Sequence, residues 1–171
     1  MSDGKKFYGK YRGTVFNNID PDKIGRIQAI VTAVSNFPLT WAMPCVSIAG
    51  MQMGVFVLPQ IHAGVWIEFE HGDPNRPIWV GGYWGTKEEV PALALTPPPP
   101  PGINIVLQTS LQNTLMISDA SGPTGGILLK SATGALISIS DVGITISNGQ
   151  GASIVMAGST VTINQGALVI T

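Results

Sequence analysis

The 171 residues carry nine Lys/Arg against ten Asp/Glu, a net charge of −1, and are 44 % hydrophobic but only 11 % charged. That length holds one domain or two small ones, and a balanced charge without a basic run disfavours nucleic acid as a partner. No uninterrupted apolar stretch of about 18 residues reads as a membrane span, and Met1-Ser2-Asp3-Gly4-Lys5-Lys6 lacks a signal-peptide core, so synthesis in a cytoplasm is expected.

Residues 7–85 read as five or six short β-rich runs, at 7–16, 25–31, 41–46, 64–70 and 77–84. Turn residues separate them at Asp20-Pro21-Asp22-Lys23 and Gly72-Asp73-Pro74-Asn75-Arg76-Pro77, the pattern of a small closed barrel or a sandwich. Closure would remove exposed edges. Val65, Ile67 and Phe69 alternate with Trp66, Glu68 and Glu70, so one face of that run enters a core and the other meets water or a partner. Gly81 and Gly82 interrupt the last run where a barrel strand bends or another backbone approaches.

Polar candidates in this half have ordinary explanations. Glu68 and Glu70 share a strand face at a separation compatible with paired-carboxylate hydrolysis, but no cleft-forming insertion accompanies them, and a solvated sheet face is expected. His71 lies beside Gly72-Asp73-Pro74-Asn75, where Asp73 is expected to bond nearby backbone amides rather than orient a base. His62 reads as a loop residue or a partner contact. Cys45, the only cysteine, excludes an internal disulfide, and its apolar neighbours suggest a buried structural thiol. One cysteine and two dispersed histidines offer no metal spacing, and no nucleophile–base motif appears, so no metal, cofactor or enzymatic activity is expected. Trp41, Trp66, Trp79 and Trp84 suit a protein interface better than a nucleic-acid platform, which also needs a positive groove. Met51, Met53 and 55–58 form an apolar loop that is either core or an exposed docking patch.

Pro97 to Pro101 then divide the chain, and five successive prolines favour an extended, semi-rigid spacer. The expected domains are 1–95, a linker at 96–102 and a second domain at 103–171. Beyond the prolines only Asp119, Lys130 and Asp141 are charged, and apolar pairs recur with a period of 17: Ile127, Ile144 and Val161 fall in register, as do Leu129, Ile146 and Ile163. The spacing between pairs alternates between ten and seven residues across Gly/Ser/Asn turns, and each pair reads apolar, polar, apolar, which is strand alternation. Stacked short strands build a rod. Single strands of this length have little independent stability, so either each chain coils alone as a β-solenoid, or three chains wind together so that each wall of a prism collects strands from all of them. The second fits the spacing and multiplies buried area within a closed symmetry. The expected shaft core is Leu115, Ile117, Ile127, Leu129, Ile137, Ile139, Ile144, Ile146, Ile154, Met156, Val161, Ile163, Leu168 and Ile170. Residues 107–124 fit the 17-residue register poorly and read as a transition or a looped entry to the shaft.

Ile24-Gly25-Arg26-Ile27-Gln28, Trp41-Ala42-Met43-Pro44 and the stretch from Gly64 through Gly72-Asp73-Pro74-Asn75-Arg76-Pro77 to Ile78-Trp79-Val80-Gly81 resemble the OB-fold domain of the baseplate assembly protein V family. These are spike proteins of contractile phage tails, with relatives in type VI secretion and extracellular injection machines. The resemblance covers most of residues 8–86, and it implies an all-β chain: an N-terminal OB-fold barrel followed by an intertwined trimeric β-helix, the spike shaft. It further implies a homotrimeric structural spike in the baseplate of a virion or equivalent machine, made in the bacterial cytoplasm. Such a spike joins a hub protein through its N-terminal domain, touches the target envelope transiently and helps pierce it. The His-x-His metal motif common at such tips has no match after His71, so a separate tip protein is expected at the C-terminal end. A receptor- or carbohydrate-binding trimeric fibre module is the alternative.

Overall fold

The structure, a computed structural model, describes residues 5–95 and 102–170; of the expected linker, residues 96–101 lie outside the described residues. The chain falls into two compact units, Met1–Lys87 and Glu88–Thr171.

In the first unit, β1 (Tyr11–Asn17), β2 (Gln28–Ile30), β3 (Met43–Pro44), β6 (Gly64–Phe69) and β7 (Pro77–Tyr83) form a five-stranded sheet in the order β2-β1-β6-β7-β3. The ends meet where Ala42 N donates to Ile27 O at 2.7 Å and Ile27 N to Ala42 O at 3.2 Å, which closes the barrel. Val65, Ile67 and Phe69 point inward as their alternation requires and meet Val15, Ile27, Ala29, Val31 and Trp79 in the core. Burying each such side chain contributes roughly 1.5–3 kcal/mol. The Trp79 indole N–H donates to Gly25 O at 3.0 Å, so the largest core side chain has its polar atom satisfied. The pairing of β6 with β7 shifts register between Trp66 and Ile67, which face Gly81 and Trp79, leaving Val80 as the extra residue of a bulge at the glycine break. A separate two-stranded hairpin, β4 (Ala49–Gly50) and β5 (Met53–Gly54), stands apart from the barrel sheet.

The Asp20-Pro21-Asp22-Lys23 turn is fastened by a feature its composition did not announce. The Asp20 carboxylate, in a residue only 8 % exposed, accepts backbone N–H bonds from Asp22, Ile24 and Arg26 at 3.0–3.1 Å. It also accepts from Arg26 Nε at 3.0 Å and Nη2 at 2.7 Å. Arg26 lies over the Trp41 ring and pairs with Asp22 as well. The Arg26 side-chain hydrogen bonds hold the Asp20 carboxyl well below the usual carboxylate range, against the opposing effect of burial, and the backbone donors add to the lowering. Because the folded carboxyl titrates below its unfolded value of about 4, its stabilising share is complete above that pH and drains away as pH falls toward the folded value. Asp20→Asn is therefore expected to lower the melting temperature at pH 7 by several degrees, with the gap to wild type narrowing below about pH 4. Thermal melts at pH 7 and pH 3 check this, and an equal gap at both would assign the loss to shape rather than charge.

In the second unit eight antiparallel strands follow one another as a single meander: β8 (Asn104–Gln108), β9 (Thr114–Ser118), β10 (Gly126–Lys130), β11 (Leu136–Ser140), β12 (Gly143–Ser147), β13 (Ser153–Ala157), β14 (Thr160–Ile163) and β15 (Leu168–Ile170). At about 4.8 Å per strand the stack spans on the order of 34 Å. The 17-residue period now has a structural content. It is two five-residue strands joined alternately by a five-residue turn, as at 131–135 and 148–152, and a two-residue turn, as at 141–142. The longer turns are tied internally: Asn148 Oδ1 accepts from Gln150 N and Ala152 N at 2.8 and 3.0 Å, and Ser131 Oγ accepts from Ala135 N at 3.0 Å. Gly126 and Gly143, one period apart, open β10 and β12 at positive φ, and a Cβ there would lie 2.0 Å from Ile139 O and 2.2 Å from Met156 O. Only glycine lets the neighbouring strand pass so close.

One expectation changes. Residues 107–124 are not a transition or looped entry, because β8 and β9 belong to the same sheet and keep its alternation. The turn at 109–113 has the usual five residues, and only the seven-residue connection at 119–125, where the alternation calls for two, breaks the 17-residue offset. Within one chain, each interior strand already pairs on both sides with its sequence neighbours, since turns this short return the chain to the adjacent antiparallel position.

Candidate functional site: an apolar face across eight strands

Strand register turns the repeat into two straight rows. Ile105, Ile117, Ile127, Ile139, Ile144, Met156, Val161 and Ile170 are successive cross-strand partners, and so are Leu107, Leu115, Leu129, Ile137, Ile146, Ile154, Ile163 and Leu168. All fourteen side chains expected in the shaft core lie on this one face, together with Ile105 and Leu107 from β8. The last two follow the same apolar-polar-apolar signal, but they precede the region where the period holds.

Neither row contains a polar atom, yet the face is open. Ile105 is 57 % and Leu107 64 % exposed, and Ile117, Ile127, Leu129, Ile137, Ile139, Ile146, Ile154, Leu168 and Ile170 are exposed as well. Leu115, Ile144, Met156, Val161 and Ile163 are half-buried. Contiguous apolar area on this scale marks an interaction surface. The opposite face is mixed. Ser118 Oγ donates to Asn104 Oδ1 at 2.6 Å, Thr114 Oγ1 donates to Gln108 Oε1 at 3.2 Å, and Met116 between them is buried, while Ser138 and Thr145 face each other across β11 and β12. Most side chains of this mixed face are buried or half-buried, whereas most of the two aliphatic rows stand open.

The remaining candidates do not converge on a reactive site. Glu68 is ion-paired to Lys10, and Glu70 to Arg76 Nη2 at 2.7 Å, so each carboxylate has its own cation. His71 sits at φ 52° in the turn where Asp73 Oδ1 accepts from Asn75 N at 2.9 Å. His62 is also at positive φ, its backbone N–H donating to Val15 O. The Cys45 thiol is exposed, contrary to expectation: Ala42 takes the inward place on this run, and the neighbouring Met43 is itself exposed. Arg12 stacks against Trp66 and Tyr83 on the outside of the barrel. The loop around Met51, Met53 and 55–57, undecided from sequence, is exposed. Among the described residues no group of three His, Cys, Asp or Glu side chains could hold a metal ion, and no helix is long and apolar enough to cross a membrane.

Two family models match the chain in tandem. Residues 11–84 match the type VI secretion system/phage-baseplate injector OB domain, and residues 104–169 match the phage baseplate V C-terminal trimerisation domain. The chain belongs to the phage baseplate V family. No curated relative matches it. The baseplate V trimerisation domain coincides with the eight-stranded sheet, and the injector OB domain with the barrel. The chain is accordingly an all-β structural component of a phage or injection-machine baseplate.

Proposed function

We propose that three copies of this chain assemble through the apolar face of the second domain to form the central spike of a contractile tail or related injector. The observation that carries the reading is the pair of unbroken aliphatic rows. Three sheets, each turning its rows toward a common axis, bury them against one another and leave the mixed faces outside. No strand edge within a wall is then needed for contact between chains. Closed threefold symmetry is self-limiting, so such a face yields a needle of defined girth rather than a fibre.

The mechanism is mechanical. Sheath contraction drives the tube and spike against the target envelope, and axial load passes through backbone ladders within each wall and through the apolar axis between walls. Many parallel hydrogen bonds share the load, each of modest strength. The N-terminal barrel joins the hub, and β15, the last strand of the sheet order, leaves an unpaired edge at the end of the stack where a separate tip protein is seated. The product is a virion or injector component synthesised in the bacterial cytoplasm, without enzymatic activity. A trimeric fibre module that binds a receptor or carbohydrate would use the same sheet, but the injector OB domain favours the spike.

Light scattering of the full chain tests the assembly directly. The expected mass is three times the 17.9 kDa chain, unchanged on dilution to micromolar concentration. A monomer would remove the reading.

A further inference from the structure

We infer that Asn148 is a deamidation site gated by the fold, intact while the 148–152 turn is closed and converted to aspartate and isoaspartate when that turn opens. Asn148-Gly149 is the one Asn-Gly step in the sequence. Glycine leaves the following backbone nitrogen without a shielding Cβ, so that nitrogen, once its proton has passed to a base in solvent, can attack Asn148 Cγ. The new N–Cγ bond closes a cyclic imide, the Cγ–Nδ2 bond breaks, and the side-chain nitrogen leaves as ammonia after taking a proton from water. Water then opens the imide at either carbonyl, giving aspartate or the isomer whose main chain runs through the former side chain. The sequence of steps needs no oxidant or cofactor, and Asn148 and Gly149 are both exposed to the water it consumes.

The closed turn opposes each part of that path. The Gly149 N–H, whose proton must be given up, donates to Ser147 Oγ at 3.1 Å. Asn148 Oδ1 accepts from Gln150 N at 2.8 Å and from Ala152 N at 3.0 Å, while Asn148 N donates to Ala152 O at 3.1 Å. Side chain and main chain are thus both anchored against the rotation that would bring Cγ onto the Gly149 nitrogen. Gly149, at φ 74°, also lies against the turn one period earlier, where a Cβ on it would stand 2.7 Å from Gly134 C and 2.8 Å from Ala135 N. That earlier turn supplies a comparison. Ser131 holds the position of Asn148, donating its N–H to Ala135 O at 2.8 Å and accepting at Oγ from Ala135 N at 3.0 Å, so serine fastens the same kind of turn with no amide to lose. Conversion in the folded protein therefore proceeds at the rate of the open chain multiplied by the fraction of time the turn is open. The inference stands on the fold of one chain and does not rest on the trimeric reading.

Position-resolved peptide mapping of the full-length chain during incubation in mildly alkaline buffer tests this, with the same chain unfolded in guanidinium chloride as the reference. Aspartate and isoaspartate at position 148 are expected to accumulate in the unfolded chain, and at least tenfold more slowly in the folded one. Asn148→Ser is expected to form neither product at 148 under either condition. Equal rates in the folded and unfolded chains would overturn the gating, and an unfolded chain that stays unchanged at 148 would overturn the site itself. The same signal from Asn148→Ser would assign it to another step in the sequence, Asp3-Gly4 for example, and would overturn the site as well.

Discussion

Ile144→Asp is expected to abolish the trimer while leaving the barrel folded. Ile144 lies mid-sheet, paired with Ile139 on one side and Met156 on the other. Three copies turned inward would bring three carboxylates to one level of a nonpolar axis. Each buried unpaired charge costs several kcal/mol, symmetry applies that cost three times, and every 1.4 kcal/mol, roughly, is a tenfold change in association. The oligomer should therefore be lost at any practical concentration. Two controls separate face from fold. Ile144→Val removes one methylene, about 0.5–1.5 kcal/mol per chain, and should remain trimeric. Thr145→Asp, one residue along and on the mixed face opposite Ser138 and Val155, should remain trimeric as well. An Ile144→Asp protein of unchanged mass would show that the rows face outward.

Removing the second domain should have the next largest effect. A chain ending at residue 95 keeps the closed barrel and its core of ten buried side chains, and it is expected to melt cooperatively but to run as a monomer at micromolar concentration. A tight trimer from this fragment would mean that the barrel rather than the sheet drives assembly.

What could be read in the chain beforehand follows the physics of each signal. Alternation at Val65, Ile67 and Phe69 was sufficient to orient β6, because side chains of a half-buried strand have a period of two. The same logic placed fourteen side chains on one face of the second domain. Period alone, however, reports the distance between strands and not the identity of their partners. The meander was hidden until the turn lengths at 131–135 and 141–142 were known to return each strand to its neighbour. β8 escaped because the seven-residue connection at 119–125 breaks the offset, although Ile105 and Leu107 carry the same apolar pair and pair directly with Ile117 and Leu115 of β9. In the barrel, Asp20 read only as turn chemistry. Its partner Arg26 lies outside the four-residue window of a turn, so the ion pair is a product of the folded loop. Cys45 was misjudged because apolar neighbours in sequence need not be inward neighbours in a barrel.

The alternating five- and two-residue turns bear on how this sheet acquires its length. Each 17-residue block brings its own backbone partner and its own share of the apolar rows, so duplicating or excising one changes the height of the stack by about 9–10 Å without disturbing the strands on either side. Gene-level growth of the sheet is thus quantised, and a longer or shorter stack requires no redesign of either end.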